Sequence, residues 1–429
     1  MSKKTLITLI LLLLLITAGI FGYFFYSIRP TPLVIDTNKD KNTHFPFGSG
    51  NTYPTNTGRD TATSTGATST STSTRNTYTR TPALPVLRHL STVPTAGAGA
   101  YDSSRGTQIR YIERGTGYIY QASNLNLDQI KLSNTPIIKI YEALWTSKNN
   151  ALIIRRLKGD TDTIDSFYST LNTTPTIKNA SSTTSLSDSL ISSVSSDYLG
   201  ANISSAVLSP KKDSLFYLIP DGSGGVSGII AKVDGTKKVL VFSSPLKGWV
   251  TQWPADNTIA LTSKSSSKSA GFLYFVSSLT GSSTKVLGGI NGFTTLTSTD
   301  TNTVLYSKTN NDSFTLNSFN VKNGNKEQIS LTTLPEKCVW SAKEKNSAYC
   351  AVPKSIPSGS YPESWYQGKV FFNDEIWKID TFIGTLEHIA DLNSLSGQEI
   401  DATNLSLNGK EDLLLFTNKQ DLTLWSLDI

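Results

Sequence analysis

One junction recurs along this 429-residue chain: Leu90-Ser91-Thr92-Val93-Pro94, Leu132-Ser133-Asn134-Thr135-Pro136, Val241-Phe242-Ser243-Ser244-Pro245 and Leu331-Thr332-Thr333-Leu334-Pro335. In each, an apolar residue stands four positions before a proline, which cannot donate to a β-ladder and so marks the end of a strand. The first two prolines are 42 residues apart and the last two are 90 apart, or twice 45. A period of that length holds one small sheet of about four strands, too small to bury its apolar faces alone. Such units must stack or close on one another.

Beyond Pro85, short Val/Ile/Leu/Tyr/Phe runs alternate with Gly, Asn, Asp and Ser, which is strand and turn punctuation with little helical periodicity. The clearest unit predicts strands over residues 204–208, 214–219, 226–233 and 237–242. Similar sets follow around Val250, Ile259, Leu273 and Val286, then around Leu296, Val304, Leu316 and Ile329. Two units are longer, one by a Ser/Thr-rich insertion at about 169–200 and one by a segment at 353–372. The chain ends after three strands of its last unit, near Thr403, 413–416 and 422–427. Residues 86–91 read as an outer strand with no unit of its own. Pairing it with the last strand removes an exposed edge and closes a ring. The expectation over 85–429 is therefore an all-β, seven-bladed β-propeller. Six or eight blades and an open pair of β-sandwiches are the alternatives.

Residues 5–28 carry no charge and are dominated by Leu, Ile and Phe. They are long enough to cross a bilayer, which takes about 20 apolar residues. Lys3 and Lys4 precede the run, so the positive-inside rule expects residues 1–4 in the cytoplasm and the rest of the chain outside it, with Tyr23 to Tyr26 in the outer interface. A cleaved signal peptide is the competing reading; its small-residue site, Thr17-Ala18-Gly19, falls inside the apolar run instead of after it. Residues 29–84 are rich in Thr, Ser, Pro, Gly and Asn, too polar to offset their ordering entropy. They are expected to form a disordered stalk, glycosylated or plain. The net charge of +6 is scattered, with no block of like charges, so nucleic acid is not an expected partner.

The stretch Leu208-Ser209-Pro210-Lys211-Lys212-Asp213-Ser214-Leu215-Phe216-Tyr217 resembles the Ser-Pro-Asp-Gly turn leading into a strand of TolB-type propellers, with Lys-Lys-Asp-Ser replacing Asp-Gly. Leu405-Ser406-Leu407-Asn408-Gly409-Lys410 is similar to the same turn. Leu424-Trp425-Ser426-Leu427-Asp428 resembles the strand end of WD-repeat blades, and Glu375-Ile376-Trp377-Lys378-Ile379-Asp380 the third strand of either class. These resemblances imply the fold and leave the activity open, because propellers host many functions.

Cys338 and Cys350 flank a turn at Lys343-Glu344-Lys345. In an antiparallel hairpin centred on Glu344, opposed positions sum to 688, which is 338 plus 350, so the two cysteines face each other. A disulfide persists outside the cytoplasm; an unbridged pair is the alternative. The segment at 353–372 carries Tyr361, Glu363, Trp365, Tyr366 and Gln367 between the second and third strands of its unit. Clustered aromatics with polar neighbours suit a sugar or a protein partner, and this reading expects Trp365 and Tyr366 exposed on one rim. The other arrangement folds the loop down as a plug. His44 lies in the stalk, and His89 and His388 lie in expected outer strands. Asp221-Gly222-Ser223-Gly224-Gly225 precedes a strand and reads as a turn, and Asp160, Asp162 and Asp165 lack the Glu and Gly of a calcium loop. No cofactor, metal or catalytic residue is assigned. The functional expectation is a membrane-anchored, extracytoplasmic, non-enzymatic module binding a protein or glycan of the cell envelope. A structural subunit of an envelope assembly and a propeller-fold hydrolase are the alternatives.

Overall fold

The computed structural model describes residues 84–126, 128–173, 191–310 and 313–429. The expected membrane span at 5–28, residues 29–83 of the expected 29–84 stalk, and His44 lie outside the described residues. Among those described, no helix is long and apolar enough to cross a membrane.

Seven four-stranded antiparallel sheets form, and six of them are simple meanders. In chain order the first six blades span 95–131, 140–201, 205–244, 249–291, 295–328 and 338–391. The seventh takes three strands from 402–428 and its outer strand from Leu87–His89. The register there is Leu87↔Leu427, Arg88↔Ser426 and His89↔Trp425, so the expected closure of the ring by residues 86–91 is present. Each recurring Pro junction falls between the outer strand of one blade and the inner strand of the next. Its apolar residue packs inward: Leu90, Leu132 and Val241 are all buried.

The second strand of a blade is covered by sheets on both faces, so its sequence is a continuous apolar run instead of an alternation. Leu215-Phe216-Tyr217-Leu218 and Leu413-Leu414-Leu415-Phe416 are buried at every position. The core clusters straddle blade boundaries. Phe216 and Leu218 of the third blade pack with Trp249, Ile259 and Leu261 of the fourth, and Leu413 and Leu415 of the seventh meet Ile109 and Tyr111 of the first.

One expectation needs correcting. The described ends of the Ser/Thr-rich stretch at 169–200 are extensions of two strands, Ile164–Thr173 and Ile191–Ala201, paired from Asp165↔Ala201 to Thr173↔Ile191, and residues 174–190 lie outside the described residues. Cross-strand hydroxyl pairs hold the two extensions together, Ser169 with Ser196 at 2.7 Å and Thr170 with Ser195 at 2.6 Å. Small hydroxylated side chains in facing positions supply the pairing that apolar side chains supply elsewhere. In the sixth blade the cysteines face each other, Cys338↔Cys350, and form a disulfide.

Candidate binding rim

The second-to-third-strand turns and the blade-to-blade junctions emerge at the same end of every blade, so they share one rim. The sixth blade departs from its neighbours there: its second strand, Ser347–Pro353, and its third, Asp374–Asp380, are joined by a loop carrying the short helix Glu363–Tyr366. Ser364 Oγ accepts from the Ser360 amide at 3.0 Å and the Ser364 amide donates to the Ser360 carbonyl at 2.7 Å, which fixes the approach to the helix.

This loop lies down on the rim. Tyr361, Trp365 and Phe372 are buried with Phe314 of the fifth blade, and the rings of Trp365 and Phe372 stack at 6.2 Å. The Glu363 carboxylate accepts from the Ser267 amide at 2.9 Å and hydroxyl at 3.0 Å in the fourth blade, and Thr309 Oγ1 donates to the Tyr361 carbonyl at 2.7 Å. Trp365 Nε1 donates to Asp401 Oδ2 at 2.8 Å at the start of the seventh blade. The loop is thus a cap pinned to residues from the fourth through the seventh blade. Trp365, expected to be exposed, is only 3% exposed, because its indole finds both an apolar bed and a charged acceptor below it. Tyr366 keeps 45% of its surface exposed while its hydroxyl donates to Glu336, and Gln367 ends the helix facing outward. Of the five sequence candidates, Tyr361 and Trp365 hold the cap down, Glu363 is tied to Ser267, and Tyr366 and Gln367 face solvent.

Beneath the cap is an ionic cluster that the sequence did not reveal. Lys337, Asp374 and Asp401 are fully buried. Lys337 Nζ donates to Asp374 Oδ2 at 2.7 Å, to an Asp401 oxygen at 2.5 Å and to the Ala402 carbonyl at 2.8 Å. The Ala402 amide donates to Asp374 Oδ2 at 2.6 Å and the Phe372 amide to Asp401 Oδ2 at 3.2 Å. Two carboxylates share one ammonium in a fully buried site. Burial pushes the Asp374 carboxyl up from 3.8 to about 7, against the pull of Lys337 and with the repulsion of Asp401. Glu336 is likewise raised by burial, and Lys419, beside the cluster, is lowered by burial.

A cavity of about 380 Å³ opens where the inner strands of the seventh, first and second blades converge. Its wall includes Ala96, Arg114, Tyr141, Glu142, Asn404 and Ser406 over an apolar floor of Leu415 and Phe416. The Arg114 guanidinium lies 5.9 Å from the centre of the Tyr141 ring. Glu142 is paired with Arg155, whose guanidinium also donates to the Ile203 carbonyl. Blades one and two are drawn tightly together alongside it: a Cβ at Gly97 would sit 2.1 Å from the Ala143 carbonyl oxygen, so only glycine fits. No sequence signal marks this cavity, because it arises from which blades are neighbours after closure.

The remaining sequence candidates are accounted for locally. His89 stacks on Trp425 at 4.1 Å, and His388 lies 3.7 Å from Glu375, both in outer strands as expected. Asp221 Oδ1 accepts from the Ser223 and Gly225 amides, so the glycine-rich turn is filled by its own carboxylate. Asp160 pairs with Lys139, while Asp165 accepts from Tyr198.

Seven radially arranged antiparallel sheets, closed by pairing the two ends of the folded region, define a seven-bladed β-propeller. Among solved structures the chain is similar to the β-propeller domain of the Trilobed protease from Pyrococcus furiosus, at 9% identity and a TM-score of 0.48 over 78% of this chain and 93% of that one. It is also similar to the Cps50 β-propeller domain from Myceliophteria thermophila (11% identity, TM-score 0.45, 80% of this chain and 100% of that one). TolB from Acinetobacter baumannii is a further likeness (9%, 0.37, 77% and 79%). No family model matches the chain, and no curated protein matches it.

Proposed function

We propose that this chain is a membrane-anchored, extracytoplasmic binding module whose propeller holds a protein or glycan of the cell envelope at its rim. The uncharged 5–28 segment behind Lys3 and Lys4 supports the anchor and its orientation. The observation that carries the binding reading is the cavity at the junction of the seventh, first and second blades. It is concave, has mixed polar and apolar walls, and lies within the range of small-ligand sites, roughly 300–1,000 Å³. The hydrolase reading needs a reachable pair of catalytic groups, and the buried pair Asp374 and Asp401, sealed beneath Trp365 and Phe372, does not supply one.

A second reading, a structural subunit, draws on the opposite rim, where the turns expose Leu125, Leu279, Phe382 and Ile383, the third of these to 81%. One experiment separates the two. The full-length chain is affinity-purified from mild detergent extracts of intact envelopes, beside a Tyr141→Ala variant and a Phe382→Ser/Ile383→Ser variant. The binding reading expects the co-purifying component to be lost with Tyr141→Ala and kept with the other. The reverse outcome favours the structural subunit, and a chain that co-purifies nothing sinks both.

A further inference from the structure

We propose that the cavity at the junction of the seventh, first and second blades binds an extended, acidic peptide segment, its carboxylate held by Arg114 and its main chain laid along a free strand edge. The inference rests on the reading of the chain as a binding module and names the chemistry of what that module takes.

Three observations converge. The first is charge. Glu142 is already neutralised by Arg155, and among the described residues Arg114 has no hydrogen bond or ion pair from its guanidinium, only the face of Tyr141. The cavity therefore carries one uncompensated positive charge, and a planar guanidinium matches a carboxylate in two parallel hydrogen bonds. The second is backbone. The inner strands Thr95–Ser103 and Ala402–Leu407 are terminal strands of their sheets, each paired on one side only. On Thr95–Ser103 the edge beside the cavity is in use, the Thr95 amide donating to the Leu422 carbonyl and the Gly97 carbonyl accepting from Trp145 Nε1, so the edge open to an added strand is that of Ala402–Leu407, where Asn404 and Leu405 drop out of the ladder. Saccharide hydroxyls can meet single main-chain groups, but the regular donor–acceptor spacing of a strand edge is matched by a peptide.

The third is shape. Each of the three inner strands lining the cavity is bulged there: the register skips Ala96 between Thr95 and Gly97, Tyr141 between Ile140 and Glu142, and Asn404 with Leu405 between Thr403 and Ser406. Ala96, Tyr141 and Asn404 are all cavity-lining residues. Asn404 takes a left-handed conformation, φ 54°. Bulges re-aim side chains next to functional sites, and three in adjacent strands at one cavity turn Tyr141 and Asn404 toward the same space. The side chains of Asn404 and Ser406 have no hydrogen-bond partner among the described residues and are free to meet a peptide group.

The test is selection of a displayed random hexapeptide library on the full-length chain in detergent, with an array of neutral and uronic-acid oligosaccharides probed in parallel. The expected result is enrichment of peptides with glutamate, aspartate or a free terminal carboxylate at one fixed position. Arg114→Gln then weakens the selected peptide at least tenfold, Arg114→Lys restores part of the loss, and methylating alternate backbone nitrogens of the peptide weakens it comparably. Absence of acidic enrichment, or binding indifferent to Arg114→Gln or to N-methylation, overturns the proposal. Uronic-acid binding that depends on Arg114 overturns the peptide assignment while leaving the binding module standing. If the envelope component still co-purifies with Arg114→Gln but not with Tyr141→Ala, this inference alone has failed.

Discussion

At the residue scale, the cluster under the cap shows how a propeller accommodates charge in a fully buried position. Asp374 Oδ1 has no partner among the described residues, and its other oxygen serves both Lys337 and the Ala402 amide. The groups facing it are Lys337 and Asp401, with Lys419 at the edge of the cluster, so a neutral Asp374 leaves one cation and one anion in balance below the cap. Because the folded carboxyl titrates near 7 instead of 3.8, the folded state binds the extra proton between those values. The carboxyl of Asp374 therefore favours the fold fully at acid pH, and that contribution is lost as pH rises toward and through about 7. Replacing it with the neutral isostere removes the dependence. In urea unfolding between pH 4 and pH 8, Asp374→Asn is expected to gain on the native chain steadily up to about pH 7 and then level off. Parallel stability curves across that range count against the assignment.

At the scale of elements, the cap is the departure from a plain propeller, and its anchoring is concentrated in one ring. Trp365 stacks on Phe372, hydrogen-bonds Asp401, and lies 5.3 Å from the Lys337 ammonium and 5.1 Å from that of Lys419. Trp365→Ala is expected to cost about 3–5 kcal/mol at the cap, through lost burial and the loss of one of the buried hydrogen bonds to Asp401. Hydrogen exchange separates this from global unfolding: the amides of 360–372 lose protection while those of Leu413–Asn418 keep theirs. Uniform loss of protection in both sets shows that the cap is not an independent unit. Tyr366→Ala, in contrast, is expected to disturb the cap less than Trp365→Ala, since Tyr366 is 45% exposed and its hydroxyl makes a single bond, to Glu336.

The same elements show what could be read beforehand. The 338–350 register followed from a single turn at Lys343-Glu344-Lys345, because pairing by index sum needs nothing beyond local sequence. That the 353–372 loop is an insertion between second and third strands was also legible. Where its aromatics point was not: the fate of Trp365 depends on Asp401, 36 residues on, and on Phe314, 51 residues back, which only closure of the ring brings within reach. The cavity at Arg114 was hidden for the same reason, and the bulges at Ala96, Tyr141 and Asn404 carry no local signature in an otherwise alternating strand.

At the scale of the whole molecule, the ring is held shut by three residues at the start of the described chain. Leu87 is buried in the cluster that joins the sixth and seventh blades. Arg88, 3% exposed, donates to Ser426 Oγ at 3.3 Å and to the Asn124 carbonyl at 3.0 Å, and pairs with Asp428. One side chain thereby stitches the closing strand to the last strand and to the outer turn of the first blade. A ring has no end from which to fray as long as this strand is seated, so its loss exposes the edge of Leu424–Asp428 and uncovers one side of the seventh blade together. Leu87→Ala removes a buried side chain and is expected to cost about 2–4 kcal/mol; Arg88→Ala adds the loss of a buried, charge-assisted set of hydrogen bonds. The two positions are adjacent on one strand, so their effects are expected to combine non-additively, the second substitution costing less once the first has loosened the strand. The measurement is a double-mutant cycle by urea unfolding, read together with amide exchange at Trp425 and Leu427. If the strand is the clasp, the double variant loses protection in the seventh blade first and shows protein-concentration-dependent association through the freed edge. If the double variant instead unfolds as a unit at the sum of the two single costs, with no association, closure resides in the packing between blades and the strand merely decorates it.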